Sequence, residues 1–134
     1  MKKFDNYVSN LKVLSLAEKE NLNNEFIISG IIDKFSIQFE LAWKVLKELL
    51  KVEGRGEANT GSPRMIIKTA NTVWDFINEE VWISMLKDRN DMSHIYDGEA
   101  AKRLAKKIID IYIPEFINIQ EQVIALFGDE LKSI

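Results

Sequence analysis

The chain has 134 residues, 46% of them hydrophobic and 29% charged, a balance that suits one globular domain spanning residues 1–134. It has no cysteine and one histidine, which excludes disulfides, thiolate catalysis and cysteine-bound zinc and fits a reducing cytoplasm. The net charge of −3 speaks against a general nucleic-acid binder, since such binding needs many Lys and Arg contacts to phosphate.

No apolar run approaches the roughly 18 residues that a membrane span needs. The start, Met1-Lys2-Lys3-Phe4-Asp5, turns polar at once and lacks the apolar centre of a secretion signal. A cytoplasmic protein is the expectation. Phe4, Tyr7, Val8, Leu11 and Leu14 recur at three and four, which predicts a first amphipathic helix broken at Asn21-Leu22-Asn23-Asn24. The longest predicted helix runs from about Glu25 to Lys51, with Ile28, Ile31, Ile32, Phe35, Phe39, Ala42, Leu46 and Leu49 as one stripe. Leu41 and Val45 widen that apolar face, so the helix is expected to be buried along much of its length.

Gly54 to Gly61 is a loop. It resembles a phosphate cradle in its glycines, but it lacks Gly-Lys-Ser/Thr and a preceding strand, so it reads as a plain connection. Ser62-Pro63 reads as an N-cap and first helical position, and a short helix follows through Met65, Ile66 and Ala70. Asn78 is placed to cap another helix carrying Val81, Trp82, Met85 and Leu86, which leads into Arg89. Asp97-Gly98 reads as a stop. The last helix then starts at Glu99, is kinked or restarted at Pro114, and ends at Gly128. The predicted fold is all-α, an up-and-down bundle of four to five helices.

The segment Arg89-Asn90-Asp91-Met92-Ser93-His94-Ile95-Tyr96 concentrates the chemistry. Arginine is a fixed cation for phosphate. Histidine transfers protons near neutral pH. On an ideal helix Arg89 and His94 stand about 140° apart, so they converge only if the helix ends or bends near Ser93, if the arginine wraps around, or across a symmetric interface. Arg89 and Tyr96, seven apart, share a face. The basic set Lys102, Arg103, Lys106 and Lys107 reads first as a solvated face, with an RNA-backbone track as the sharper alternative. Glu40 and Lys44 read as a surface ion pair, and Trp43 as core or interface. One histidine and scattered carboxylates give no metal-ligand pattern.

The pattern Arg-x4-His-x-Tyr, Arg89 to Tyr96, resembles the signature of the HEPN superfamily (higher eukaryote and prokaryote nucleotide-binding domain). Three segments are similar, in order and spacing, to the nucleotidyltransferase substrate-binding branch, which is itself similar to HepT-type toxins. They are Phe39-Glu40-Leu41-Ala42-Trp43-Lys44, Gly61-Ser62-Pro63-Arg64, and Arg89-Asn90 with Ser93-His94-Ile95-Tyr96-Asp97. The resemblance implies a HEPN-like bundle that forms a homodimer and partners a minimal nucleotidyltransferase, without metal or cofactor.

By the same resemblance Arg89 and His94 would be catalytic in metal-independent RNA cleavage, and Tyr96 the residue silenced by adenylylation. Asn90, Ser93 and Asp97 would support the site or hold a nucleotide. RNA brings its own nucleophile, the 2′-hydroxyl, so cleavage needs a base, an acid and a cation for the developing phosphorane charge. One histidine cannot easily be both base and acid, whereas a two-fold dimer supplies two. The alternative is a non-catalytic substrate-binding subunit of the nucleotidyltransferase, in which Arg89, Asn90 and His94 would hold a nucleotide or phosphate.

Overall fold

The long apolar stripe forms the central helix of the fold. The computed structural model describes residues 1–92 and 97–134. Its helices are α1 (Lys2–Leu14), α2 (Glu25–Val52), α3 (Pro63–Val73), α4 (Glu79–Asn90), α5 (Gly98–Lys107) and α6 (Ile113–Phe127). There is no strand among the described residues, and the architecture is an all-α helical bundle. Along α2 the stripe residues Ile28, Ile31, Phe35, Phe39, Ala42, Val45, Leu46 and Leu49 are buried. Ile32 and Leu41 are only partly so, because they flank the stripe.

Short polar side chains start several of the helices, Ser62 and Asn78 as the sequence predicts. Asn24 Oδ1 accepts from the Phe26 and Ile27 amides at 2.9 and 3.2 Å. Ser62 Oγ accepts from the Met65 amide at 3.3 Å, with Pro63 in the first turn. Asn78 Oδ1 accepts from the Val81 amide at 3.3 Å. Each satisfies an amide that the helix itself leaves without a partner. Two glycines end helices at positive φ. Gly54 (φ 81°) follows α2, where the Arg55 amide reaches Leu50 O and the Gly54 amide reaches Lys51 O, the paired bonds of a Schellman ending. Gly128 (φ 49°) ends α6.

One expectation needs correction. Asp97-Gly98 starts a helix rather than stopping one: Asp97 Oδ1 accepts from the Glu99 amide at 3.0 Å and α5 begins at Gly98. The reason is that Asp is as good an N-cap as it is a turn residue. Pro114 falls in the first turn of α6, as a helix restarted there requires. Residues Ile108–Tyr112 form a π turn that joins α5 to α6, with the Ile113 amide reaching back to Ile108 O. Proline lacks an amide and its ring crowds the carbonyl four residues back. The wider turn just before Pro114 accommodates both defects.

An aromatic cluster lies within a largely aliphatic core. Phe35 stacks on Tyr112 at 5.2 Å, and Phe116 meets both Phe35 and Tyr7 at 6.3 Å. A polar seam joins α1 to α2: buried Gln38 donates to Tyr7 O at 3.1 Å and accepts from Asn10 Nδ2 at 2.8 Å. Among the described residues, no helix is long and apolar enough to cross a membrane.

Glu115 gives the fold a pH dependence. Burial pushes its carboxyl above the usual 4.5, offset in part by the Trp82 indole, Asn118 and the Asn78 backbone. Trp82 Nε1 and Glu115 Oε1 are nevertheless buried without a well-formed hydrogen bond among the described residues. In the window just above the usual carboxyl range the folded chain holds a proton that the unfolded chain has released. Stability therefore falls as pH rises through that window. Glu48 acts the other way below the window: although burial opposes it, Lys3 and Lys51 lower its pKa, so its contribution is lost as pH falls. Urea midpoints measured from pH 4.5 to 7 should decline for the wild type and stay flatter for Glu115→Gln; parallel curves would reject the assignment.

Candidate functional site at the end of helix α4

Helix α4 buries Trp82, Met85 and Leu86. Arg89 stands seven, four and three residues further along, on the stripe where an apolar side chain would continue. It therefore turns inward. Its Cζ lies 5.5 Å from the Phe39 ring centroid, and its Nη1 is 3.0 Å from Glu40 Oε1, with the arginine side chain 26% and the glutamate 34% exposed. The second Glu40 oxygen accepts from Trp43 Nε1 at 3.0 Å and lies 3.8 Å from Lys44 Nζ. Among the described residues Glu40 is the acceptor that Arg89 reaches, and Arg89 Nε has none.

So the predicted Glu40–Lys44 pair exists, but Glu40 does more than face solvent. It orients the arginine of the motif. A half-exposed pair of this kind contributes only about 0–1 kcal/mol to stability, which leaves orientation as its main consequence. Trp43, half-buried, supports the carboxylate from the same helix, three residues on.

The other predicted residues fall into two groups. Asn90 is the exposed last residue of α4, and Asp97 is the exposed cap of α5. Ser93, His94 and Tyr96 lie outside the described residues. The helix carrying Arg89 ends at Asn90. The 140° separation and the shared Arg89–Tyr96 face, both reckoned along one continuous helix, therefore do not apply.

A second polar cluster borders the same turn. Tyr112, fully buried, donates its hydroxyl hydrogen bond to Asp88 Oδ2, and the hydroxyl lies 2.8 Å from Ser84 Oγ. Lys107 Nζ is 3.0 Å from the same Asp88 oxygen and 5.4 Å from the Tyr112 ring centroid. Burial and then Asp88 raise the Tyr112 pKa, so it stays a neutral donor. Burial pulls the Lys107 ammonium down, but the Tyr112 and Asp88 contacts outweigh this and its pKa rises, so it stays a cation. Asp88, Asp91, Ala100, Arg103, Leu104 and Lys107 line a hollow of about 250 Å³ between α4 and α5.

The expected basic set is thus divided. Lys107 pairs with Asp88, Lys102 donates to Asn23 Oδ1 at 2.8 Å, and Arg103 and Lys106 are exposed. Sequence reasoning passed over Ser84, Asp88 and Tyr112. The four-residue spacing of Ser84 and Asp88 marks them as one stripe, but nothing local announces Tyr112 as their partner.

Among families of known proteins, the model described as nucleotidyltransferase substrate binding protein like matches residues 1–125. No curated protein sequence matches the chain. The matched span takes in α1 to α5, most of α6, and both the Glu40–Arg89 pair and the Asp88 cluster. By that match, the chain belongs to the nucleotidyltransferase substrate-binding-protein-like family.

Proposed function

We propose that this protein is the HEPN-type partner of a minimal nucleotidyltransferase and acts as a HepT-like, metal-independent endoribonuclease silenced by adenylylation of Tyr96. The observation that carries the reading is Arg89. It is a half-buried guanidinium at the end of α4, oriented by Glu40, with its Nε lacking an acceptor among the described residues. It stands directly before Asn90 and the His94–Tyr96 stretch of the sequence.

In this reading Arg89 takes the charge that develops on the scissile phosphate. His94 of one protomer removes the 2′-hydroxyl proton, and the partner's His94 protonates the 5′-oxygen that leaves. The dimer is supported by apolar side chains left exposed on two helices, Ile37 on α2 and Ile117, Ile124 and Leu126 on α6. Adenylylation of Tyr96 would add an anion for Arg89 to hold and so keep RNA out.

The test uses the protein alone and beside a cognate minimal nucleotidyltransferase. Alone, it should arrest growth, sediment at twice 15.5 kDa, and cleave single-stranded RNA in the presence of a chelator. Co-expressed, it should grow normally and carry AMP on the tryptic peptide Asn90–Lys102, but not in Tyr96→Phe. A harmless protein that leaves RNA intact and still binds a nucleotide would replace this reading with that of a non-catalytic substrate-binding subunit.

A further inference from the structure

We infer that Asp88, Tyr112 and Lys107 form a clasp that positions Arg89, fastening the last turn of α4 to the C-terminal helices. The inference rests on the reading of Arg89 as the phosphate cation, and deepens it by naming what holds that cation in place.

Leu86 is the last buried apolar residue of α4. Within α4 no apolar residue follows it, and Met92, just past the helix end, is only partly buried against the core, so the last turn is thinly anchored. Two side chains make up for the thin packing. Arg89 reaches α2 through Glu40. Asp88, one residue earlier, reaches across to Lys107 and Tyr112. The terminal turn is therefore held on two sides, by the guanidinium itself on α2 and by Asp88 on the C-terminal helices.

The π turn makes the second anchor feasible. Lys107 and Tyr112 are five residues apart, and on a regular α-helix they would point about 140° apart. Yet both meet the same oxygen of Asp88. The widened turn at Ile108–Tyr112 rotates less per residue, so five residues come closer to one full turn and the two side chains fall on the same side. Such π bulges inside α-helices occur mostly as single turns and often at functional sites. Pro114, just after the turn, lacks the amide that would bond Asp110 O in a regular helix, which disfavours regular α-helix there. Ser84 completes the set from one turn earlier on α4.

Tyr112 is wholly buried and touches no solvent, so it acts through Asp88 rather than on a ligand. It is a positioning residue. Removing its hydroxyl leaves the Lys107–Asp88 pair and the aromatic ring in place, so the fold should survive.

The experiment compares wild type, Tyr112→Phe, Asp88→Asn and Arg89→Ala. A fourth variant, Tyr7→Phe, is the control: it also loses a buried hydroxyl, one that donates to Phe116 O instead. Two quantities are read. The first is the ¹⁵N NMR signal of the Arg89 Nε–H group, identified by its loss in Arg89→Ala. The second is kcat and KM for cleavage of a single-stranded RNA oligonucleotide. Tyr112→Phe and Asp88→Asn should shift the Arg89 signal and lower kcat on the order of 10- to 100-fold, with KM changed by less than about twofold, the pattern of a misplaced catalytic group. Tyr7→Phe should leave both unchanged. An Arg89 signal unmoved in Tyr112→Phe and Asp88→Asn, or a Tyr7→Phe loss as large as that of Tyr112→Phe, overturns the clasp. If the wild type does not cleave RNA, the ribonuclease reading fails, and the Arg89 signal alone then decides the clasp.

Discussion

Replacing His94 by alanine should lower RNA cleavage by more than about 100-fold, the usual contribution of a group that moves a proton in the transition state. Arg89→Ala should lower it by a similar order, since a charge-stabilising donor contributes about 10²–10³ in kcat. The two losses arise differently. On the proposed mechanism, removing His94 leaves the 2′-hydroxyl proton without an acceptor and the 5′-oxygen without a donor, whereas removing Arg89 leaves the proton carriers in place but the phosphorane charge unsupported. Arg89→Lys should recover little, because a lysine ammonium cannot reproduce the planar fork that lies against Phe39 and pairs with Glu40. Neither change should unfold the protein: the Arg89–Glu40 pair is half-exposed and contributes only about 0–1 kcal/mol. The check is initial rates with matched circular dichroism. A His94→Ala protein as active as a demonstrably active wild type removes the catalytic assignment.

The largest effect on stability is expected from Phe35→Ala. Phe35 is fully buried on α2, stacks on Tyr112 at 5.2 Å and meets Phe116 at 6.3 Å. Truncation should cost about 3–5 kcal/mol, from lost transfer energy and the cavity left behind. Domains of this size are stable by only about 5–15 kcal/mol in total, so much of the margin would go. Phe26→Ala is the matched comparison: Phe26 is 90% exposed at the start of the same helix, and its loss should stay within about 0.5 kcal/mol. Urea denaturation of both variants measures the difference. Similar midpoints would mean that the aromatic stack is not the core.

The same contrast between local and distant causes separates what was legible in the chain from what was not. Helix α2 could be read residue by residue because a buried stripe repeats every three to four positions and every part of that signal lies within one segment. The caps Ser62 and Asn78 were legible for the same reason: cap and amide are three residues apart. Arg89 was singled out by its chemistry and by a short motif.

What the sequence did not disclose depends on partners far along the chain. Glu40 and Arg89 are 49 positions apart, and Asp88 and Tyr112 are 24 apart. Only the packing of α4 between α2 and the C-terminal helices brings them together. Asp97-Gly98 was misread because an aspartate before a glycine suits a stop and a start equally, and the choice falls to which amide the carboxylate meets. Pro114 forbids a regular helix but does not say whether the chain kinks, restarts or widens. The sequence by itself determined the main helices, the caps Ser62 and Asn78, and the chemistry available at Arg89. The tertiary structure decided which carboxylate orients that arginine and which turn absorbs the proline, because a side chain's partner is set by the helices packed against it.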